Sequence, residues 1–437
     1  MLTTLRNALK VKEIRTRLLF TFAMLVVIRI GSQLPVPGVN REYFANWFAA
    51  QTGDAFSFFD AITGGSFLNM SILALNINPY ITSSIIMQLL TIAIPKLEEM
   101  QRDGEEGRKK IVEITRYVTV VLAIIQSAAM AIGFGRQGLL SDYTWYNVIT
   151  CIVALTAGSA FLMWVREQIT EHGVGNGISI VLIINIISRL PQDLSSLFEQ
   201  FVLGKAPATA VLAAVIILAI IIGMVVLVII LNGGERRIPV QYAKKMQGRK
   251  MVGGNTSYIP LKVNTSGMIP IIFAQSLMQI PVIISSFTGY KGTGFWGEVL
   301  KGLNSTYWCS LTQPKYTLGM LLYVVLLIFF AYFYTSITFN PLMVADNLKR
   351  QGGFIPGIRP GKPTSDYLNK VLNYIVFIGA VGLVIVSVLP YMFNGFFGAS
   401  VSTSGASLII IVSVILETVK QIESMMMVRN YRGFLMD

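Results

Sequence analysis

The sequence predicts an all-α membrane protein with ten transmembrane helices, and composition, long uncharged runs and the placement of Lys and Arg together predict it. Of 437 residues, 54% are hydrophobic and only 13% charged, and the mean hydropathy is +0.63, far from the balance of soluble domains. Uncharged runs such as 206–234 and 117–135 approach or exceed the ~20 apolar residues that cross a hydrocarbon core about 30 Å thick. Basic residues crowd into alternate loops, as the positive-inside rule requires of a chain that crosses repeatedly.

Apolar runs read against charges and breakers place the spans at 17–34, 76–94, 114–134, 147–165, 177–189, 208–231, 267–287, 317–339, 371–390 and 405–422. Arg6, Lys10, Lys12, Arg15 and Arg17 lead into the first run without a small-residue cleavage site, so it reads as a retained span. The second restarts after a break at Asn76, Asn78 and Pro79, and Thr82, Ser83, Ser84 and Gln88 give it a polar stripe at helical spacing. The third and fourth are plain apolar runs. The fifth opens on Gly177-Ile178-Ser179, and from Gly177 to Ser188 it makes only about 18 Å of helix at 1.5 Å per residue, so it is expected to be short and to line an interior funnel. After the strongly aliphatic sixth, the seventh is interrupted at "NTSGMIPIIFAQS", and the tenth opens on Gly405-Ala406-Ser407 much as the fifth does. Arg29 and Glu417 lie near ends of spans, where they are expected to snorkel.

Five spans per half is an odd number, so two repeats of five must enter the membrane from opposite sides. The expected division is 1–190 and 191–437, an inverted repeat whose interrupted segments mark the functional centre. Before the second span, Phe58 to Leu75 is apolar but carries Asp60, Asn69 and Gly64-Gly65, which suits a re-entrant segment shielded by protein better than a lipid-facing span.

With the N-terminus cytoplasmic, loops 1–16, 95–113, 166–176, 232–264, 340–370 and 423–437 with their flanks hold 26 of the 35 Lys and Arg, and the opposite side holds six. Both termini are therefore expected in the cytoplasm. Loops 232–264 ("ERRIPVQYAKKMQGRK") and 340–370 ("DNLKRQGGFIPGIRPGKP") are more basic than topology demands. They read as docking tips for an anionic partner such as ribosomal RNA or an acidic protein surface.

The chemistry of an enzyme is missing from the sequence. It holds no phosphate-binding Gly-x-x-x-x-Gly-Lys-Ser/Thr loop, no serine elbow, no HExxH and no paired intramembrane carboxylates. Its one histidine, His172, reads as a plain loop residue, and Cys151 and Cys309 read as packing cysteines, so no metal or cofactor is expected. The interrupted and short helices instead offer Ile77, Ile81, Ile178, Leu182, Ile272 and Ile410, aliphatic side chains able to seal against ions by dewetting while yielding to a flexible chain. Inverted repeats and broken helices serve two classes equally well, a polypeptide channel and a secondary transporter of a small solute. The docking tips favour the channel.

The blocks "NPYITSSIIMQLL", "EQITEHGVGNGISI", "YAKKMQGRK", "IPLKVNTSGMIP" and "ADNLKRQGGFIPGIRPG" stand in the order of the SecY family, which the chain resembles across nearly its whole length. The resemblance implies a clamshell channel in the bacterial cytoplasmic membrane that translocates unfolded secretory polypeptides and releases transmembrane segments sideways into lipid. It implies that the six aliphatic residues form the pore ring, and that Phe59, Ile62, Gly64, Gly65, Phe67, Leu68 and Met70 belong to a plug. It places a lateral gate between spans 2 and 3 and spans 7 and 8, with Thr82, Ser83, Gln88, Asn264, Thr265 and Gln275. Docking of a SecA-like ATPase motor or the ribosome falls to Lys244, Lys245, Arg249, Lys250, Lys349, Arg350 and Arg359. SecE-like and SecG-like subunits, signal peptides, nascent chains and membrane lipids are the other implied partners.

Overall fold

The structure, a computed structural model, describes residues 9–44, 63–135, 138, 140–203, 207–242, 245–247, 250–252, 256–288, 294–304, 308–309, 314–397 and 405–434. Its helices are, in chain order, α1 (Lys12–Gly31), α2 (Asn78–Ala93), α3 (Pro95–Arg102), α4 (Glu105–Phe134), α5 (Trp145–His172), α6 (Gly177–Phe201), α7 (Pro207–Gly233), α8 (Ile269–Thr288), α9 (Phe295–Leu303), α10 (Thr317–Thr338), α11 (Pro341–Arg350), α12 (Lys362–Phe397) and α13 (Gly405–Phe434). Each of the ten expected spans falls on one of them. Among the described residues six helices, α4, α5, α6, α7, α10 and α12, are long and apolar enough to cross a membrane. A seventh is added if α2 and α3, bent by 105° at Ile94 and Pro95, count as one broken span. The chain is a helical multi-pass membrane protein.

The expectation of a short fifth helix is overturned. α6 has 25 residues and runs through Pro191 to Phe201, about 37 Å at 1.5 Å per residue. A proline inside a helix costs about 3 kcal/mol, but Asp193 and Leu197 are buried beyond it, and packing of one face carries the helix past the break. The division expected between residues 190 and 191 consequently falls inside a continuous helix. His172 is likewise no loop residue but the last residue of α5, its ring 6.0 Å from that of Phe20.

Among the described residues five short strands accompany the helices: β1 (Glu235–Tyr242), β2 (Lys245–Gln247), β3 (Lys250–Val252), β4 (Thr256–Lys262) and β5 (Gly353–Phe354). β1 pairs antiparallel with β4 from Glu235↔Lys262 to Gln241↔Thr256, and with β5 at Gln241↔Phe354 and Tyr242↔Gly353. The sheet order is β4-β1-β5, and β2 and β3 form a separate two-stranded ribbon. The two basic loops thus share one layer. Ile238 and Val240 point to the same side, as residues two apart on a strand must, and with Leu261 they bury against Leu348 of α11 and Leu368 of α12.

Residues 63–77 form successive turns wedged between α1 and α5. Asn76 takes φ +52°, a left-handed conformation that asparagine tolerates better than most residues, and Pro79 then restarts the helix in the first turn of α2. The segment is zipped to the chain that leaves α1, with the Val36 amide donating to the Met70 carbonyl at 3.0 Å and the Ile72 amide to the Leu34 carbonyl at 2.9 Å. Phe67, Met70, Ala74 and Leu75 pack with Phe44, Phe134, Cys151 and Leu155 in one buried cluster. A larger cluster joins α1, α2, α5 and α6 to α7, α8, α10, α12 and α13.

Candidate functional site

The six aliphatic residues singled out in the sequence lie on four helices of the larger cluster. Ile77 and Ile81 lie one turn apart at the start of α2, and Ile178 and Leu182 one turn apart at the start of α6, so each pair shares a helix face. Ile272 comes from α8 and Ile410 from α13. All six belong to the larger cluster: Ile77, Leu182 and Ile410 are buried, and Ile81, Ile178 and Ile272 pack against them half-buried. Side chains from four helices separated by up to 333 positions in sequence therefore belong to one hydrophobic cluster. Aliphatic side chains offer nothing to compensate a bare ion, which pays the cost of stripping its water beside them.

Beside it, the Gly64 carbonyl accepts hydrogen bonds from Arg29 Nη1 at 3.3 Å and from Ser188 Oγ at 3.5 Å. This corrects the expectation that Arg29 snorkels: its guanidinium turns inward and ties the turn segment to α1. Gly64 and Gly65 have φ +65° and +83°, and a Cβ on Gly64 would lie 2.8 Å from Asn185 backbone atoms of α6. Of the residues expected in a plug, Phe67 and Met70 are buried and Leu68 packs beside them; Phe59 and Ile62 lie outside the described residues.

The residues expected at a lateral gate are not brought into one group. Ser83 Oγ donates to the Thr115 carbonyl at 2.8 Å, joining α2 to α4. Asn264 Nδ2 donates to Asn232 Oδ1 at 2.8 Å, and Asn232 Nδ2 to Ser413 Oγ at 2.7 Å, a chain that ends on α13. Gln275 Nε2 donates to the Tyr391 hydroxyl at 2.9 Å, joining α8 to α12. Thr265 bonds locally to the Lys262 carbonyl at 2.7 Å, and Thr82 and Gln88 are half-buried on α2. α8 packs against α4.

Reading the sequence missed a polar cluster behind α2. Arg166 Nη1 donates to the Tyr80 hydroxyl at 2.7 Å with its guanidinium 4.1 Å from that ring's centre, while Glu167 pairs with Arg116 at 2.7 Å and Arg166 at 3.3 Å. It also missed how the turn into α6 is held: the Val174 amide donates to Thr21 Oγ1 at 3.0 Å and the Gly175 amide to Gln421 Oε1 at 2.7 Å. Partners 153 and 246 positions apart leave no local signal.

On the basic face, Lys349 and Arg350 are exposed in the last turn of α11, where cations complement the helix dipole. Arg359 is exposed in the turn after β5, its carbonyl accepting from Thr364 Oγ1 at 2.8 Å. Lys245 and Lys250 sit on β2 and β3, and Lys244 and Arg249 lie outside the described residues. Among the described residues no group of three His, Cys, Asp or Glu side chains is placed to hold a metal. Cys151 is buried, and Cys309 Sγ lies 3.4 Å from Met320 Sδ.

The model of the protein family described as SecY matches residues 71–419. The chain is 40% identical over 455 aligned residues to a protein of Mycobacterium bovis named protein translocase subunit SecY, and 42% identical over 451 to one of the same name from Streptomyces galbus. Each alignment spans 100% of both chains. Among solved structures, one described as the structure of a protein conducting channel aligns with a TM-score of 0.62 at 18% identity, over 95% of this chain and 93% of that one. Sec61 in a canine ribosome-channel complex from the endoplasmic reticulum aligns with a TM-score of 0.60 at 17% identity, over the same shares.

Proposed function

The chain belongs to the SecY family, and we propose that it is the protein-conducting subunit of a translocase in the cytoplasmic membrane, passing unfolded polypeptides through the apolar ring of Ile77, Ile81, Ile178, Leu182, Ile272 and Ile410. The observation that carries the reading is the match to translocase subunits over the full length of the chain, and the presence of all six side chains, from α2, α6, α8 and α13, in or against one hydrophobic cluster supports the ring. A ring of aliphatic side chains closes on itself when empty and deforms around a threading chain, so one gasket serves every sequence. In the same reading two inverted halves of five helices form the clamshell. The segment 63–77, with Gly64 fastened to Arg29 and Ser188, is the described part of the plug that seals the closed channel.

Sideways release is solvent sorting. Each buried CH₂ gains about 0.8 kcal/mol by leaving water, while each unsatisfied backbone group in lipid costs several kcal/mol. A chain segment therefore stays in the pore unless it is helical and apolar. Parting α8 from α4 opens the way out, and Thr82, Ser83, Gln88, Asn264, Thr265 and Gln275 tune how readily the gate helices part. The sequence carries no Gly-x-x-x-x-Gly-Lys-Ser/Thr phosphate loop, and in this reading the work comes from a SecA-like motor or from the ribosome. These dock on the sheet and the α11 loop through Lys244, Lys245, Arg249, Lys250, Lys349, Arg350 and Arg359. SecE-like and SecG-like subunits complete the assembly, with both termini of this chain in the cytoplasm.

The test is reconstitution with those subunits and a motor in sealed vesicles, followed by protease protection of a secretory precursor. ATP-dependent protection is expected. Ion-coupled uptake of a small solute with no protected precursor would support the carrier instead.

A further inference from the structure

Behind α2, Arg166 and Glu167 of α5 meet Tyr80 of α2 and Arg116 of α4. We propose that Arg166 is a positioning residue that acts through Tyr80 to hold Ile77 and Ile81 where they stand, a role that rests on reading those two as part of the ring.

Ile77 stands three residues before Tyr80 and Ile81 directly after it. The Ile81 amide donates to the Ile77 carbonyl at 3.0 Å, so the three residues belong to one turn of helix. Tyr80 is buried, and Arg166 holds it twice. Nη1 donates to the Tyr80 hydroxyl at 2.7 Å, and the guanidinium carbon lies 4.1 Å from the ring centre, within reach of a cation–π attraction. Seven residues earlier on the same face of α5, Ser159 Oγ donates to the Asn76 carbonyl at 3.3 Å. α5 therefore grips the start of α2 at Asn76 and at Tyr80, one point on either side of Ile77. Ser83, three residues past Tyr80 and on the same face of α2, adds a bond to the Thr115 carbonyl of α4 at 2.8 Å.

The guanidinium is itself fixed. Its Nη2 lies 3.3 Å from Glu167 Oε1, and the same oxygen is held at 2.7 Å by Arg116 Nε of α4. The side chains of Arg166 and Glu167 are only 12% and 16% exposed, so their attraction is weakly screened. Arg166 Nε is buried and makes no hydrogen bond to protein, which leaves a desolvated donor uncompensated. An apolar side chain of similar volume would avoid that cost, but it could not hold a hydroxyl at a set distance and direction. The site thus favours a fixed position for Tyr80 over stability.

The experiment compares Arg166→Met, Tyr80→Phe and the double variant with the parent, each reconstituted as the full chain. Amide hydrogen exchange is read over Asn78 to Gln88, and resting conductance is read in planar bilayers. Each single variant should quicken exchange in α2 severalfold, leave α13 unchanged and raise conductance. The double variant should go no further than Arg166→Met alone, because both changes remove one contact. Ser127→Ala cuts the 3.0 Å contact between Ser127 Oγ and Thr156 Oγ1 that joins α4 to α5, and it should lower melting without quickening α2. Unchanged exchange in α2, effects that multiply in the double variant, or an equal response to Ser127→Ala would each overturn the proposal. Ile81→Lys separates it from the ring reading. If exchange quickens but the Arg166→Met and Tyr80→Phe channels stay ion-tight while Ile81→Lys leaks, the proposal falls and the ring stands. If Ile81→Lys is tight as well, the ring falls and the hold on α2 stands.

Discussion

Gly64→Ala bears on whether the turn segment seals the channel. At φ +65° an L-residue costs roughly 1–2 kcal/mol. Its Cβ would meet the Asn185 Cα and carbonyl oxygen and Ser188 Oγ, each at 2.8 Å, and two of those atoms are backbone of α6 that no rotamer change can move. Overpacking of this kind costs typically 1–3 kcal/mol. Both terms burden the closed state and are relieved when the segment leaves α6, so the closed-to-displaced ratio should fall by about 2–5 kcal/mol. That is roughly 30-fold to a few thousand-fold. The assay is resting conductance of the reconstituted channel in planar bilayers, with melting checked in parallel. Gly65→Ala is the internal control: its φ is +83° but a Cβ there would have Asn69 Nδ2, 3.9 Å away, as its nearest neighbour, so only the backbone term applies and the leak should be much smaller. A Gly64→Ala channel as ion-tight as the parent would refute the reasoning, as would equal leaks from the two variants.

Replacing Ile272 or Ile410 with Lys places a charge in the apolar cluster and should raise ion leak at rest; unchanged tightness would remove those residues from the ring. Ser83→Ala deletes the 2.8 Å bond to the Thr115 carbonyl and should lower stability by about 0.5–1.5 kcal/mol, read as a lower melting temperature that Ser83→Thr partly restores. Glu298 bonds to Lys315 and Tyr316, and these bonds hold its carboxyl below the ordinary carboxylate range. A depressed value contributes stability that is complete above that range and is lost as pH falls through the folded-state value. The parent's melting temperature should therefore drop more than that of Glu298→Gln on acidification below the carboxylate range, and parallel curves would contradict this. Arg359→Glu on the exposed turn after β5 should weaken motor or ribosome binding in a cosedimentation assay without altering melting.

What could be read from the sequence was whatever depends on neighbours along the chain. Uncharged runs located the ten helices, because a hydrocarbon core demands them whatever the tertiary fold. The break at Asn76 and Pro79 was visible because both residues act on their own backbone. The pairs Ile77 and Ile81, and Ile178 and Leu182, were legible as shared helix faces because their members stand one turn apart at helix starts.

Elsewhere, distant partners decided the outcome. α6 continues past Pro191 because Leu197 finds a buried place that no local rule foretells. Arg29 turns inward because the Gly64 carbonyl, 35 positions away, is there to receive it. The sheet was hidden because Arg236, Arg237 and Pro239 mask the alternation of Ile238 and Val240, and its third strand comes from more than a hundred residues downstream. Gln275 was expected at the gate, yet its hydrogen bond to Tyr391 spans 116 positions.

Photocrosslinking from Ile81 and Ile272 to a secretory precursor stalled in the channel tests the central claim most directly. The two positions come from different helices, α2 and α8, and pack on the same cluster. Adducts to the moving chain from both positions are expected if the polypeptide passes through the apolar ring. A precursor that is engaged and translocated yet gives no adduct at either position would contradict it.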